Sequence, residues 1–189
     1  MQSFRNLLHL GLFGSLLCLT AVISSCTNDD IPSDSYYTFT GETLGQYLTN
    51  HAEDYSDFVQ LLNRSYVDDE GTGSTVMEML NAYGYYTCFA PDNETMAKYL
   101  AKEGLSSIEQ VTDSAARVIS LMSIISSGAT VYESQNFADR LADQNLYRKT
   151  IYIENYNGTG YRINDMANIT EIDVEVHNGV VHRVDSVLE

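Results

Sequence analysis

The chain has 189 residues and carries 26 Asp and Glu against 10 Lys and Arg, a formal charge of −16. That balance argues against a nucleic-acid partner, whose affinity rests on neutralising phosphates with Lys and Arg, and against direct residence on an anionic lipid surface without acyl chains. The length accommodates one ordinary domain with a core and not a second of similar size.

In chain order, Arg5 precedes an almost uninterrupted apolar run over residues 7–23, the pattern of an export signal. The run stops at Cys26. Ile23, Ser24, Ser25 and Cys26 fit the bacterial lipoprotein pattern of an aliphatic residue, two small residues and a cysteine, and resemble the site where the thiol is acylated and the leader cut. Small residues suit that site because the peptidase must admit the backbone beside the cysteine. A simple membrane anchor and an ordinary cleaved secretory leader are the competing readings, although the run is shorter than the ~20 residues of a spanning helix. The expected organisation is a lipoprotein signal peptide over residues 1–25, a flexible tether over 26–40 and one folded domain over 41–189. Cleavage before Cys26 leaves 164 of the 189 residues and, with Arg5 gone, moves the formal charge from −16 to −17. Cys18 leaves with the leader and Cys26 takes the lipid, so Cys88 has no cysteine left to pair with. Flanked by Thr87 and Phe89 and far from any histidine in sequence, Cys88 reads as a small buried hydrophobe rather than a nucleophile. The tether is polar, acidic and broken by Pro32. Its Asp29 and Asp30 resemble the signal that, in one group of Gram-negative bacteria, sends lipoproteins to the outside of the outer membrane; a solvated linker is the alternative. The expected location is therefore the cell envelope, as a surface-exposed outer-membrane lipoprotein.

Within residues 43–67, Leu44, Tyr47 and Leu48, then Tyr55, Phe58, Val59, Leu61 and Leu62, recur at helical spacing in two blocks. The acidic loop over residues 68–74 lacks the ligand spacing and terminal glutamate of a calcium-binding loop, and lacks the lysine of a phosphate loop. Thr75 and Glu78 read as a capping box opening a short helix that Gly84 ends. Residues 85–90 form a strand by their aromatic and β-favouring content. Pro91 stops it, and Asp92 or Asn93 caps a helix over 94–103 that Gly104 closes. Ser106 with Glu109 reads as a second capping box, followed by helical spacing from Ile108 to Ile125. Strands are expected over 129–132, 147–154 and 161–164, with Asn157, Gly158 and Gly160 supplying turns.

Residues 172–188 form a hairpin whose register the apolar pattern predicts. A two-residue Asn178, Gly179 turn mixes apolar and polar faces. A three-residue loop of His177, Asn178 and Gly179, with Gly179 left-handed, pairs Val176 with Val180, Val174 with His182 and Ile172 with Val184. One face is then apolar apart from His182, and the other sets Asp173 opposite Arg183.

Two motifs carry a family resemblance. Thr87, Cys88, Phe89, Ala90, Pro91, Asp92 and Asn93, leading into a helix, resemble the first motif of fasciclin-like domains. Asn178, Gly179, Val180, Val181, His182, Asp185, Val187 and Leu188 resemble the closing motif, 85 residues from Asn93 to Asn178. The resemblance covers residues 43–189 and implies an α+β domain in which a β-sheet wedge is flanked by several helices. It assigns Thr87, Phe89, Ala90, Pro91, Asn93, Asn178, Gly179, Val180, His182 and Asp185 to the structural motifs. Many relatives carry a tyrosine and a histidine near the end of the long helix, a pair linked to integrin binding. Here Ser123 and Ile124 stand there, so no integrin-type contact is expected.

No catalytic constellation emerges. His51, His177 and His182, the histidines beyond the leader, have neither metal-site nor triad spacing. His182 reads as a hydrogen-bonded core histidine and the other two as solvated. The 14 tyrosines exceed what one small core absorbs, so Tyr152, Tyr156 and Tyr161 are candidates for a binding surface that stacks on sugar rings or proteins; tyrosine standing in for Phe and Trp at half-buried positions is the alternative. Ser114 and Ser186, each between an aspartate and an aliphatic or small residue, resemble acceptors of O-linked sugars. The expected protein is a lipid-anchored adhesion or interaction module with no cofactor and no catalytic or metal residues. It would be held to the membrane through acylated Cys26 and bind protein or glycan. An accessory subunit of an outer-membrane glycan-uptake assembly is the alternative, and a hydrolase a more distant one.

Overall fold

The computed structural model describes residues 41–137, 140–156, 158 and 160–189. The leader, the tether with Cys26, and Asn157 of the expected turn lie outside them.

The helices begin where side chains cap them. Thr43 and Gln46 form a capping box for α1 (Leu44–Asn50), and Thr75 and Glu78 do the same for α3 (Val76–Leu80). Between them lies α2 (Ala52–Arg64), which buries Tyr55, Phe58, Leu61 and Leu62 along one stripe. Asp92 caps α4 (Asn93–Glu103), and left-handed Gly104 ends it. The expected cap at Ser106 and Glu109 is replaced. Residues Ile108–Gln110 make a single 3₁₀ turn, Gln110 rather than Glu109 reaches back to the Ser106 N–H, and extended Val111 breaks the helical path. The helix proper, α5 (Asp113–Met122), starts after Thr112, whose hydroxyl accepts the Ala115 N–H. It stops short of Ile125 because Ile124–Ser126 are taken up as strand β2.

The strands β1 (Tyr86–Pro91), β2, β3 (Leu141–Gln144), β4 (Thr150–Asn155), β5 (Tyr161–Ile163), β6 (Ala167–Val176) and β7 (Gly179–Val184) form one sheet in the order β2-β1-β7-β6-β5-β4-β3. Only β1 and β7 run parallel; the other neighbours are antiparallel. The sheet bends until its two ends meet, where Ile125 bridges Asn145 and the Leu146 N–H donates to the Ile124 carbonyl. Residues 129–132 do not make the expected strand. The Ser127 hydroxyl accepts the Thr130 N–H and donates to its carbonyl, curling the chain instead. The expected strand from residue 147 begins at Thr150, because Asn145 caps a turn through left-handed Arg148.

The bent sheet creates two cores. Tyr86, Cys88 and Ala90 of β1 and Val181 of β7 face the helices, while Phe89 and Val184 point into the fold of the sheet with Phe137, Ile151, Ile153, Ile163 and Ile169. Strands β1 and β7 are consequently buried on both sides. Arg183 on the helix side of β7 donates to the Tyr55 hydroxyl at 3.2 Å and the Asp54 carboxylate at 2.9 Å, fastening β7 to α2.

The hairpin register differs from the pattern-based expectation. Val176 pairs with Gly179, Val174 with Val181, Glu171 with Arg183 and Ile169 with Val184, with register shifts on either side of Glu171. The loop is His177 and Asn178 alone. Ile172 does not face Val184 but is 44% exposed, and left-handed Asp173 sits in the bulge rather than opposite Arg183. Gly179 is a strand residue without positive φ. A Cβ there would collide with the Tyr86 carbonyl oxygen, so glycine is required by the close approach of β1.

Asn178 explains the shift. Its side chain is buried, with Oδ1 accepting the Leu44 N–H at 2.8 Å and Nδ2 donating to the Leu80 and Ala82 carbonyls at 2.9 and 2.7 Å. Its own carbonyl accepts the Tyr86 N–H at 3.0 Å. One turn residue thus ties the start of α1, the end of α3 and the start of β1 to β7. Asn178→Ala leaves two buried backbone groups, the Leu44 N–H and the Leu80 carbonyl, short of partners and should cost about 2 kcal/mol or more, from ~1–3 kcal/mol per orphaned group. Asn178→Asp should not rescue it, since a carboxylate oxygen would face two carbonyls. Urea denaturation reads both variants, and a midpoint unchanged by Asn178→Ala would refute the clamp.

Candidate binding surface

Strand β4 alternates, with Ile151 and Ile153 buried and Thr150, Tyr152 and Glu154 turned outward. On the neighbouring strand Arg162 pairs with Glu154 in register and also points out, while Ile163 is buried. Arg140, just before β3, lays its guanidinium over the Tyr152 ring at 4.7 Å, and its Nε lies 2.6 Å from the Glu154 carboxylate. Arg162 covers the Tyr156 ring at 5.2 Å, donates to the Asp165 carbonyl at 2.6 Å and lies 3.5 Å from its carboxylate. Tyr152 and Tyr156 remain 41% and 48% exposed. Together these side chains border an open groove of about 390 Å³.

Of the three tyrosines singled out from the sequence, the fold brings two together. Tyr161 is on the other face of the sheet, its ring edge-on to buried Phe137 at 5.1 Å. Strand parity decides this, since Tyr161 and Ile163 share the inner face and Arg162 the outer. The sequence reading missed Arg140 and Arg162. The Tyr-Arg-Ile alternation of β5 held the signal for Arg162, whereas nothing local marks Arg140. A second aromatic pair, Tyr83 and Tyr85, stands beside the His177–Asn178 turn with ring centroids 5.9 Å apart and 64% and 37% exposure.

The motif residues lie elsewhere, in the interior or at element junctions. The Thr87 hydroxyl accepts the Tyr132 N–H at 2.8 Å. Ala90 packs under the helices, and Pro91 closes β1 opposite Val184. Asn93 accepts the Asp57 N–H and donates to the Ala52 and Glu53 carbonyls, hooking α4 to α2. Val180 is fully buried. Asp185 accepts from the backbone and side-chain amides of Asn168 at 2.8 and 2.7 Å, closing the far end of the β6–β7 pair. Ser114 opens α5 and Ser186 follows β7. Ser123 caps the end of α5 through the Ile119 carbonyl, and Ile124 is fully buried. Cys88 is buried too, and burial pushes its thiol well above the ordinary range. Among the described residues no three His, Cys, Asp or Glu converge to hold a metal, and no helix is long and apolar enough to cross a membrane.

The sequence profile of the Fasciclin domain matches residues 53–189. This chain belongs to the fasciclin-domain family. Among solved structures, a FAS1 domain pair from the insect cell adhesion molecule fasciclin I matches with a TM-score of 0.62 at 18% identity, over 78% of this chain and 51% of that one. The chain spans about half the length of that pair, and the likeness is one of fold. Curated protein sequences contain no match.

In this fasciclin domain His182 is fully buried between Phe89 and Phe137, with ring centroids 5.5 and 5.2 Å away. Its Nδ1 accepts the Asp173 N–H at 3.2 Å, which leaves Nε2–H to donate to the Tyr132 carbonyl at 2.9 Å. That pair of bonds needs the neutral ring. Burial lowers the pKa of His182 from its ordinary 6.5, against the opposing pull of the Tyr132 carbonyl, Asp173 and Glu133. The unfolded chain therefore takes up the proton first, so stability is full above pH ~6.5 and falls below it, levelling off once the native ring also titrates. The slope from this group is at most about 1.4 kcal/mol per pH unit. His182→Gln should be less stable at pH 7.5 yet flatter between pH 7 and 5 in urea-midpoint measurements. An unchanged slope would mean that His182 is not the group responsible.

Proposed function

We propose that this fasciclin domain is a cell-envelope interaction module, tethered through acylated Cys26 and engaging protein or glycan ligands in adhesion. Fasciclin domains commonly serve as adhesion or interaction modules rather than enzymes, and the insect molecule sharing the fold is itself an adhesion molecule. The observation that carries the reading is the outward face of β3–β5, where two half-exposed tyrosine rings are backed by arginines on a strand anchored from beneath by Ile151 and Ile153. Rings held this way lose little freedom on binding, which is why tyrosine is effective at recognition surfaces. The surface ion pairs there add little stability, so their contribution is to orientation and local charge.

The second reading, an accessory subunit in an outer-membrane glycan-uptake assembly, draws on the Tyr83, Tyr85 and Val131 surface at the opposite end of β1 from Pro91. A permanent neighbour could cover it.

Two measurements test the reading. Cys26→Ala should abolish incorporation of labelled palmitate and release the protein from the membrane fraction, and retention of label would refute the anchor. In intact cells the domain should be cleaved by added protease; complete protection would exclude ligands outside the cell.

A further inference from the structure

We infer that the Tyr152–Tyr156 groove takes a neutral oligosaccharide and discriminates against acidic ones, an inference that rests on reading this face as the ligand surface. Charge favours a neutral ligand. Arg140 is engaged by Glu154 and Arg162 by Asp165, so among the described residues the two cations of the groove are matched by two carboxylates. An anionic ligand must displace these carboxylates to reach a guanidinium, and it approaches a chain whose formal charge is −16. Neither condition opposes a neutral ligand.

The chemistry of the lining favours a sugar over a protein. None of the nine described residues that line the groove is aliphatic, whereas the centre of a protein–protein interface is apolar and depleted of charge. Tyrosine rings offer flat faces to the C–H side of a pyranose. Each arginine–carboxylate pair sets N–H donors beside acceptor oxygens, the complement of neighbouring hydroxyls, which both donate and accept. The dimensions agree. A volume of about 390 Å³ lies within the range of small-ligand sites, and four residues along and just past β4 set the two tyrosine Cα atoms roughly 13 Å apart, the reach of a short oligosaccharide rather than one sugar.

The experiment is titration calorimetry on the full chain in detergent micelles. The probes are neutral gluco-, manno- and galacto-hexaoses and an oligogalacturonate of equal length, and the variants are Tyr152→Ala, Tyr156→Ala and Glu154→Gln. At least one neutral hexaose should bind, with each tyrosine variant about tenfold weaker, in line with the energy of one stacked aromatic contact. Oligogalacturonate should not bind the parent but should bind Glu154→Gln, in which Arg140 loses its carboxylate. The substituted side chains are exposed, and thermal melts matching the parent are the control that the variants are folded. Equal or tighter binding of oligogalacturonate to the parent would overturn the neutral preference and leave the groove as the ligand surface. Sugar binding insensitive to both tyrosine variants would overturn the groove. If no oligosaccharide binds but a protein is captured in a Tyr152-dependent way, the glycan inference falls and the interaction-module reading stands. If nothing binds, both fall.

Discussion

The side chain of Asn178 is the constraint on which the rest of the domain depends. Strands β1 and β7 are far apart in sequence and run parallel, so no tight turn can align them. A single buried amide does so instead. It spends both of its N–H groups and its oxygen on backbone groups at the start of α1 and at and just past the end of α3, and the main-chain carbonyl of Asn178 takes the first N–H of β1. A buried polar group with every partner in place specifies one arrangement, because any slip leaves it unsatisfied at high cost. Gly179 completes the junction by letting the Tyr86 backbone come close.

Two buried central strands divide the molecule. Their helix-side residues meet α1 to α5 in one core, and their opposite faces meet the returning strands in a second. His182 belongs to this second core and crosses between layers, joining the bulge at Asp173 to the curled segment at Tyr132. The motif residues are thus concentrated where layers join. Strands β3 to β5 lie at the other end of the sheet and bury only their inner side chains. Their outer face carries no structural duty comparable to that of β1 or β7, and that is where the paired tyrosines and arginines stand.

This division separates the side chains that join elements from those left on the outer face. Thr87, Asn93, Asn178 and Asp185 hold elements together and are spent chiefly on backbone partners within the domain. The side chains of the β4–β5 face pair with one another at the surface, and their pairing sets a groove of balanced charge on an otherwise strongly acidic chain. The chemistry available to a ligand there is ring stacking and hydrogen bonding in both directions.

The helices of this chain were legible because their signals are local. A cap such as Thr75 with Glu78 acts over three residues, and the apolar stripe of α2 repeats every turn. The two family motifs were legible for a related reason, since each is a contiguous junction between elements. Strand pairing follows different physics. The hairpin register read from alternation alone assumed a single buried face, but β7 is buried on both faces by partners distant in sequence, and Asn178 and Gly179 answer to Leu44, Leu80 and Tyr86 rather than to the turn. Strand β2 likewise carries helix-compatible residues and becomes a strand only because β1 offers it hydrogen bonds. On the β4–β5 face, the abundance of tyrosine announced that some must be exposed. Which ones stand together, and that Tyr161 turns inward while Arg140 and Arg162 join Tyr152 and Tyr156, depended on strand parity and on a neighbour from β3. The sequence by itself determined the helices, the family and the supply of aromatic side chains, since these rest on contacts between near neighbours. Only the tertiary structure decided register, closure and the charge balance of the groove, because those are settled by groups that meet only when the sheet has formed.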